Sequence, residues 1–217
     1  VTLVTMLTAV ASASAVAQAF PAKPVRLVVA FPPGGATDTF SRVTAAEMTK
    51  SLGQQVIVEN RPGAGTTIAA EYVAKSPPDG YTLLFTDLST HAITPSIYNK
   101  LGYQPLRDFA AVAPVSSSPL IMVAHPSVGV KSARELITLA KKHPGVTCGN
   151  AGIGTVTHMA SEKFRMRAGI DLTPVNYKGG ATSTISLLTG EIALIVTTIP
   201  AALEYVKTGR LVAVGLT

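Results

Sequence analysis

The residues with the most to say about chemistry are Phe31-Pro32-Pro33-Gly34-Gly35-Ala36-Thr37-Asp38. An apolar run at 25–30 precedes them and reads as a buried strand. A helical pattern follows, with Phe40, Val43 and Leu52 on one side and Gly53 at its expected end. Strand, glycine turn and helix start together make an anion site. Glycine lets backbone N–H groups approach a ligand, and the first helical turn carries unpaired donors in a positive field. The stretch holds no lysine, serine nucleophile or set of metal ligands, so the chemistry it offers is binding.

Four more loops of the same kind follow: Asn60 to Thr66, Thr86 to His91, Cys148 to Thr155, and Tyr177 to Thr182. Asp38 is placed either to cap its helix or to hold the ligand end of the loop. Arg61 could clamp a carboxylate or make a structural ion pair. His158, one turn into the helix after Gly154, could brace its loop or touch ligand, and Lys178 could lie at the surface or at the mouth of a cleft. Gly152-Ile153-Gly154 begins like a dinucleotide fingerprint, but Thr157 stands where the third glycine is needed. No phosphate-binding P-loop and no G-x-S-x-G nucleophile elbow occurs. His91, His125, His143 and His158 have no metal-ligand spacing, so neither a metal nor a cofactor is expected. Cys148 is the one cysteine, which excludes an intrachain disulfide and reads as a small core residue.

The elements that must position these loops alternate. Strands are expected at 25–31, 56–60, 82–86, 110–115, 120–124, 146–149, 172–177, 192–198 and 211–216. Helices are expected at 37–52, 66–75, 92–98, 132–143, 155–168, 180–189 and 200–208. That alternation predicts an α/β fold with mostly parallel sheets flanked by helices, and ligands at the carboxyl ends of the strands. The stretch 110–126 is expected to cross as one strand between two lobes. Ser132 with Glu135 predicts a capping box.

The 217 residues, 47% hydrophobic and 14% charged, describe a globular chain rather than a disordered one. The net charge of +6 is scattered, which argues against nucleic acid and fits attraction of small anions. The first charge is Lys23. The apolar run before it, ending in Ala17-Gln18-Ala19, reads as the remnant of a signal peptide over 1–19, cleaved after Ala19.

In order, these stretches resemble the Bug family, the substrate-binding proteins of tripartite tricarboxylate transporters. The resemblance rests on Pro-Ala-Lys-Pro-Val-Arg at 21–26, the Phe31–Asp38 loop, and Val-Glu-Asn-Arg-Pro-Gly-Ala-Gly at 58–65. It continues through Pro-Pro-Asp-Gly-Tyr-Thr-Leu-Leu at 77–84, Thr-His-Ala-Ile-Thr-Pro-Ser-Ile-Tyr at 90–98, Ala-Gly-Ile-Gly-Thr at 151–155 with His158, and Asn-Tyr-Lys-Gly-Gly-Ala at 176–181. It implies a two-lobed, type II-like periplasmic binding protein: lobe one over 20–122, lobe two over 123–210, and at 211–217 the start of a strand returning to lobe one. A further segment would complete lobe one. The implied function is capture of a small carboxylate, a di- or tricarboxylate or an aromatic acid, by a monomer that delivers it to a membrane permease. A periplasmic sensor, or an enzyme acting on small acids, is the alternative. The ligand-binding positions implied are Phe31, Gly34, Gly35, Ala36, Asp38, Thr86, Ser89 and His91 on lobe one. On lobe two they are Ala151, Gly152, Gly154, Thr155, His158, Lys178 and Thr197. The anion is expected between the 34–38 and 152–155 helix starts. Family members often carry an aspartate where this chain has Thr197-Thr198, which disfavours a ligand whose amine needs a carboxylate.

Overall fold

The computed structural model describes residues 20–216; the signal-peptide reading of 1–19 lies outside them. Two sheets organise the chain. The first has three parallel strands in the order β2-β1-β3: β1 Val25–Val29, β2 Val56–Asn60 and β3 Thr82–Phe85. Helix α1, Ala36–Leu52, and helix α2, Thr67–Ala74, make the two crossovers. Alternation along β1 sends Val25 and Leu27 to a core with Ala45 of α1, and Val28 to a core with Ala69 of α2. The buried stripe of α1 is Asp38, Ser41 and Ala45, whereas Val43 is 61% exposed. Small side chains let this helix lie close to the sheet, so the expected apolar face is displaced.

A turn at Ser89–Ile93 with π-helical bonding runs into the short α3, Thr94–Ile97. The second sheet then begins with β4, Leu120–Ala124, and continues through α4 Ala133–Lys142, β5 Val146–Asn150, α5 Val156–Ala168 and β6 Leu172–Asn176. It ends with α6 Gly180–Leu188, β7 Leu194–Thr198, α7 Ile199–Lys207 and β8 Val212–Leu216. Its order is β6-β5-β7-β4-β8; β5 is parallel to both neighbours, and β4 is antiparallel to β7 and β8. Leu136 and Ala140 of α4 pack on one face with Met122, Leu194 and Val196, and Leu187 of α6 and Ala202 of α7 on the other with Val123 and Ile195. No helix among the described residues is long and apolar enough to cross a membrane.

Three expectations change. Residues 110–115 form no strand: the segment has no regular structure and is exposed, with Val112 81% exposed and no ladder partner among the described residues. The passage between sheets therefore falls at 110–119, not within 110–126 as one strand, and a lobe boundary at 122/123 would cut β4. The strand at 211–216 does not return to the first sheet. It pairs with β4, because Leu211 and Val214 bury against the two faces of the second sheet.

The capping box on α4 is half made. The Ser132 hydroxyl accepts from Glu135 N–H at 3.3 Å, but the Glu135 carboxylate takes the N–H of Lys131 at 2.8 Å rather than that of Ser132.

Cys148 sits in the second core, 1% exposed. Burial, helped by the charge of Glu162, pushes its thiol up to about 12. The folded protein should not react with Ellman's reagent at neutral pH, and should release one thiol per chain on denaturation. Rapid reaction of the folded form would show that β5 opens.

Candidate functional site

The carboxyl ends of β1, β3, β5 and β6 all point between the two lobes, which carries the glycine loops to a common cleft. Two of these loops share one brace. Gly34 N–H donates to the Asp38 carboxylate four residues on at 3.0 Å, and Gly154 N–H donates to His158 Nδ1 four residues on at 3.4 Å. Each bracing residue lies in the first turn of its helix, so each satisfies a donor just outside it.

Asp38 is fully engaged. Its carboxylate takes Gly34 N–H, two donors of Arg42 at 2.9 and 3.0 Å, and Asn60 Nδ2 at 2.8 Å. The same Asn60 nitrogen donates to the Phe31 carbonyl at 3.0 Å. Burial alone would raise the Asp38 pKa, but the bonds from Arg42, Gly34 and Asn60 outweigh it and hold the carboxyl below its ordinary value. Asp38 thus ties the loop to β2, leaving the amides of Ala36 and Thr37 as the helix's own free donors. His158 is held below its usual pKa, chiefly by burial, with Glu162 opposing. It is therefore a neutral acceptor at physiological pH.

On lobe two the loop after β5 is bonded mostly to itself. Ala151 N–H donates to Thr157, Gly152 N–H to Asn150 Oδ1, and the Thr155 hydroxyl to the Gly152 carbonyl at 2.7 Å. Thr197 is buried, one residue before the end of strand β7. Lys178 is exposed and makes no ion pair among the described residues. Arg61 is committed elsewhere: it pairs with Glu59 at 2.6 Å and lies 3.6 Å over the Tyr72 ring. His91 sets its ring edge-on to Phe109 at 5.1 Å.

Across the cleft the loops meet in a pattern the sequence does not reveal. A Cβ at Gly179 would stand 2.6 Å from Pro32, and one at Gly34 would stand 3.9 Å from Ala181. The start of α1 therefore faces the start of α6, not the 152–155 loop. That loop faces the first lobe elsewhere: Gly154 lies against Ile97 and Tyr98, and Gly65 against the Ile153 carbonyl. Val156 N–H, at the start of α5, donates across the cleft to the Ser89 hydroxyl at 3.2 Å.

Several participants carry no local sequence signal. Thr90 donates to the hydroxyl of Thr66 at 2.7 Å and also bonds Thr86, so three hydroxyls join the ends of two loops. Thr66 accepts this bond from a backbone at φ 86°, a conformation L side chains rarely adopt. The Tyr177 and Thr198 hydroxyls are buried with no protein partner, at the ends of β6 and β7. Asp87, between Thr86 and Ser89, accepts the Ser89 N–H at 2.8 Å. Among the described residues no group of three His, Cys, Asp or Glu side chains is placed to hold a metal ion.

The sequence matches the family described as tripartite tricarboxylate transporter family receptor over residues 40–217. The chain belongs to that family. It is 37% identical over 202 residues to Protein BugT of Bordetella pertussis, covering 92% of this chain and 62% of BugT. The receptor chain described here thus spans less than two thirds of that relative's length. A Rhodopseudomonas palustris protein solved with adipate is 33% identical with a TM-score of 0.88, over 91% of this chain and 67% of the other. MatC of the same organism, solved with bound malate, is 32% identical with a TM-score of 0.85, over 91% and 67%. The matched relatives are binding receptors of transport systems rather than enzymes.

Proposed function

We propose that this receptor chain captures a small organic carboxylate, a dicarboxylate or a related acid, in the periplasm and presents it, as a monomer, to a membrane permease. The single observation that carries the reading is the facing of the α1 and α6 starts across the interlobe cleft, with the α5 start meeting the first lobe at Ser89. The amides that begin α1 and α6, and the positive ends of these helices, favour an anion without needing a lysine or arginine in contact; at α5 the Val156 amide is already taken by Ser89. Gly34, Gly35, Ala36, Gly152, Gly154 and Thr155 form the walls, with Thr86, Ser89 and the Tyr177 hydroxyl as polar contacts. Asp38 and His158 hold the loops in shape. Phe31, His91, Ala151, Lys178 and Thr197 flank the cleft. Relatives solved with adipate and with malate support the carboxylate class.

A thermal-shift panel of adipate, malate, citrate, benzoate, glucose and maltose tests it. At a hundredfold excess over Kd, binding adds about 2.7 kcal/mol, a rise of roughly 5–10 °C for a chain of this size. Stabilisation by at least one acid and by neither sugar is the expected result. A shift from a sugar alone, or from none of the acids, would overturn the reading.

A further inference from the structure

Thr90 lies in the turn that joins β3 to α3, and both its hydroxyl and its carbonyl are fully used. The residue is buried, as are Ser89 before it and Thr94 after it. Its hydroxyl gives its one proton to Thr66 at 2.7 Å, so the bond it shares with Thr86 is one that Thr86 donates. Its carbonyl accepts the Thr94 and Tyr103 hydroxyls, each at 2.9 Å. The turn has the wider π-helical bonding, a rare form that concentrates at functional sites.

Each end of the Thr90–Thr66 bond adjoins a residue that meets the second lobe. Ser89, next to Thr90, accepts Val156 N–H across the cleft at 3.2 Å. Gly65, next to Thr66, lies so close to the Ile153 carbonyl that a Cβ there would stand 2.9 Å from it. One hydrogen bond inside the first lobe therefore spans two of the groups that receive residues 153–156. The Thr66 end carries strain. Gly63, Ala64, Gly65 and Thr66 all have positive φ, and at Ala64 (45°) and Thr66 (86°) a side chain is present in that region. Such a backbone persists only where its surroundings hold it, and the Thr90 hydroxyl is the side-chain partner that holds Thr66.

We propose that Thr90 is a positioning residue for carboxylate capture: its bond to Thr66 holds Ser89 and Gly65 at the separation that seats residues 153–156, and so sets how much of the protein is closed. This rests on the carboxylate reading above. Thr90 acts through Ser89 and Gly65 and needs no contact with the ligand. Without the bond the 63–66 turn relaxes toward ordinary φ, and the seat for the second lobe is lost. Apparent affinity then falls in proportion to the closed population.

The test is isothermal titration of the full chain with malate and with adipate at neutral pH, beside urea denaturation of each variant. Thr90→Val keeps the shape and removes the hydroxyl; it should weaken binding by about tenfold, the scale of one hydrogen bond. Thr90→Ser restores the hydroxyl and should recover most of that loss. Ser89→Ala removes the cross-lobe bond directly, and the double variant Thr90→Val/Ser89→Ala should bind no more weakly than Thr90→Val alone, because both changes act on one seat. Thr66→Gly guards against a variant that merely unfolds. Glycine accepts φ 86° without strain, so this chain should keep or raise its urea midpoint and still lose about tenfold in affinity. Unchanged binding by Thr90→Val or by Thr66→Gly overturns the proposal and leaves the carboxylate reading standing. So do losses that multiply in the double variant. If the unsubstituted chain gives no heat with either acid, both readings fall.

Discussion

Replacing Asp38 by alanine should destabilise the fold by about 2–4 kcal/mol, the range for stripping a buried carboxylate from charged and neutral donors. The side chain is 4% exposed and ties three segments, the Gly34 turn, Arg42 of α1 and Asn60 of β2. Without it the Gly34 amide and Asn60 lose their acceptor, and the glycine loop is no longer held against β2. Urea denaturation of Asp38→Ala beside the unsubstituted chain measures the loss, and carboxylate affinity should fall with it. The pH dependence has a definite sign. The folded-state pKa of Asp38 lies below the ordinary 3.8, so its stabilisation is fully present above that value and is lost as pH falls through the lower, folded pKa. The gap between Asp38→Asn and the unsubstituted chain should therefore close on the acid side. A gap that stays constant would mean that Asp38 acts through shape and not through charge.

Gly179→Ala should weaken carboxylate binding by roughly a hundredfold, about 2.7 kcal/mol. A Cβ there would stand 2.6 Å from Pro32 Cγ and 2.9 Å from its Cδ, across the cleft. Contacts that short force the lobes apart, so the closed form becomes a minor state and apparent affinity falls with its population. The backbone at Gly179 has φ 116°, so alanine also carries a strain of about 1–3 kcal/mol in either state. The double variant Gly179→Ala/Pro32→Ala separates the two effects. Removing Cγ and Cδ of Pro32 should recover most of the affinity while the melting temperature stays low. Affinity that stays lost in the double variant would show that strain in the α6 loop, not the clash, was responsible. Small-angle scattering should find the single variant more extended than the unsubstituted chain in saturating malate.

These two residues illustrate how differently parts of the site could be read in advance. Asp38 follows a glycine turn and opens an amphipathic helix, a local pattern that signals a cap or a contact. The structure decides between them by bringing Asn60 from β2 onto the same carboxylate. Gly179 looks like any other turn glycine. Its meaning comes from Pro32, nearly 150 positions earlier in the chain. Thr90 belongs with Gly179: nothing in Leu-Ser-Thr-His-Ala separates a solvated loop threonine from one bonded to Thr66.

The sequence alone determined the element order, the α/β class and the glycine loops, because each depends on residues within one or two turns of one another. Hydrophobic period, glycine position and helix-start residues act locally, and eight of the nine expected strands form. The exception, 110–115, has suitable residues but no ladder partner among the described residues, and a strand exists only where a ladder satisfies its backbone. Placing β8 beside β4, setting α1 opposite α6 rather than opposite the 152–155 loop, and bonding Thr90 to Thr66 were decisions of the tertiary structure. Each depends on groups brought together from distant parts of the chain, whose mutual distances no local pattern encodes.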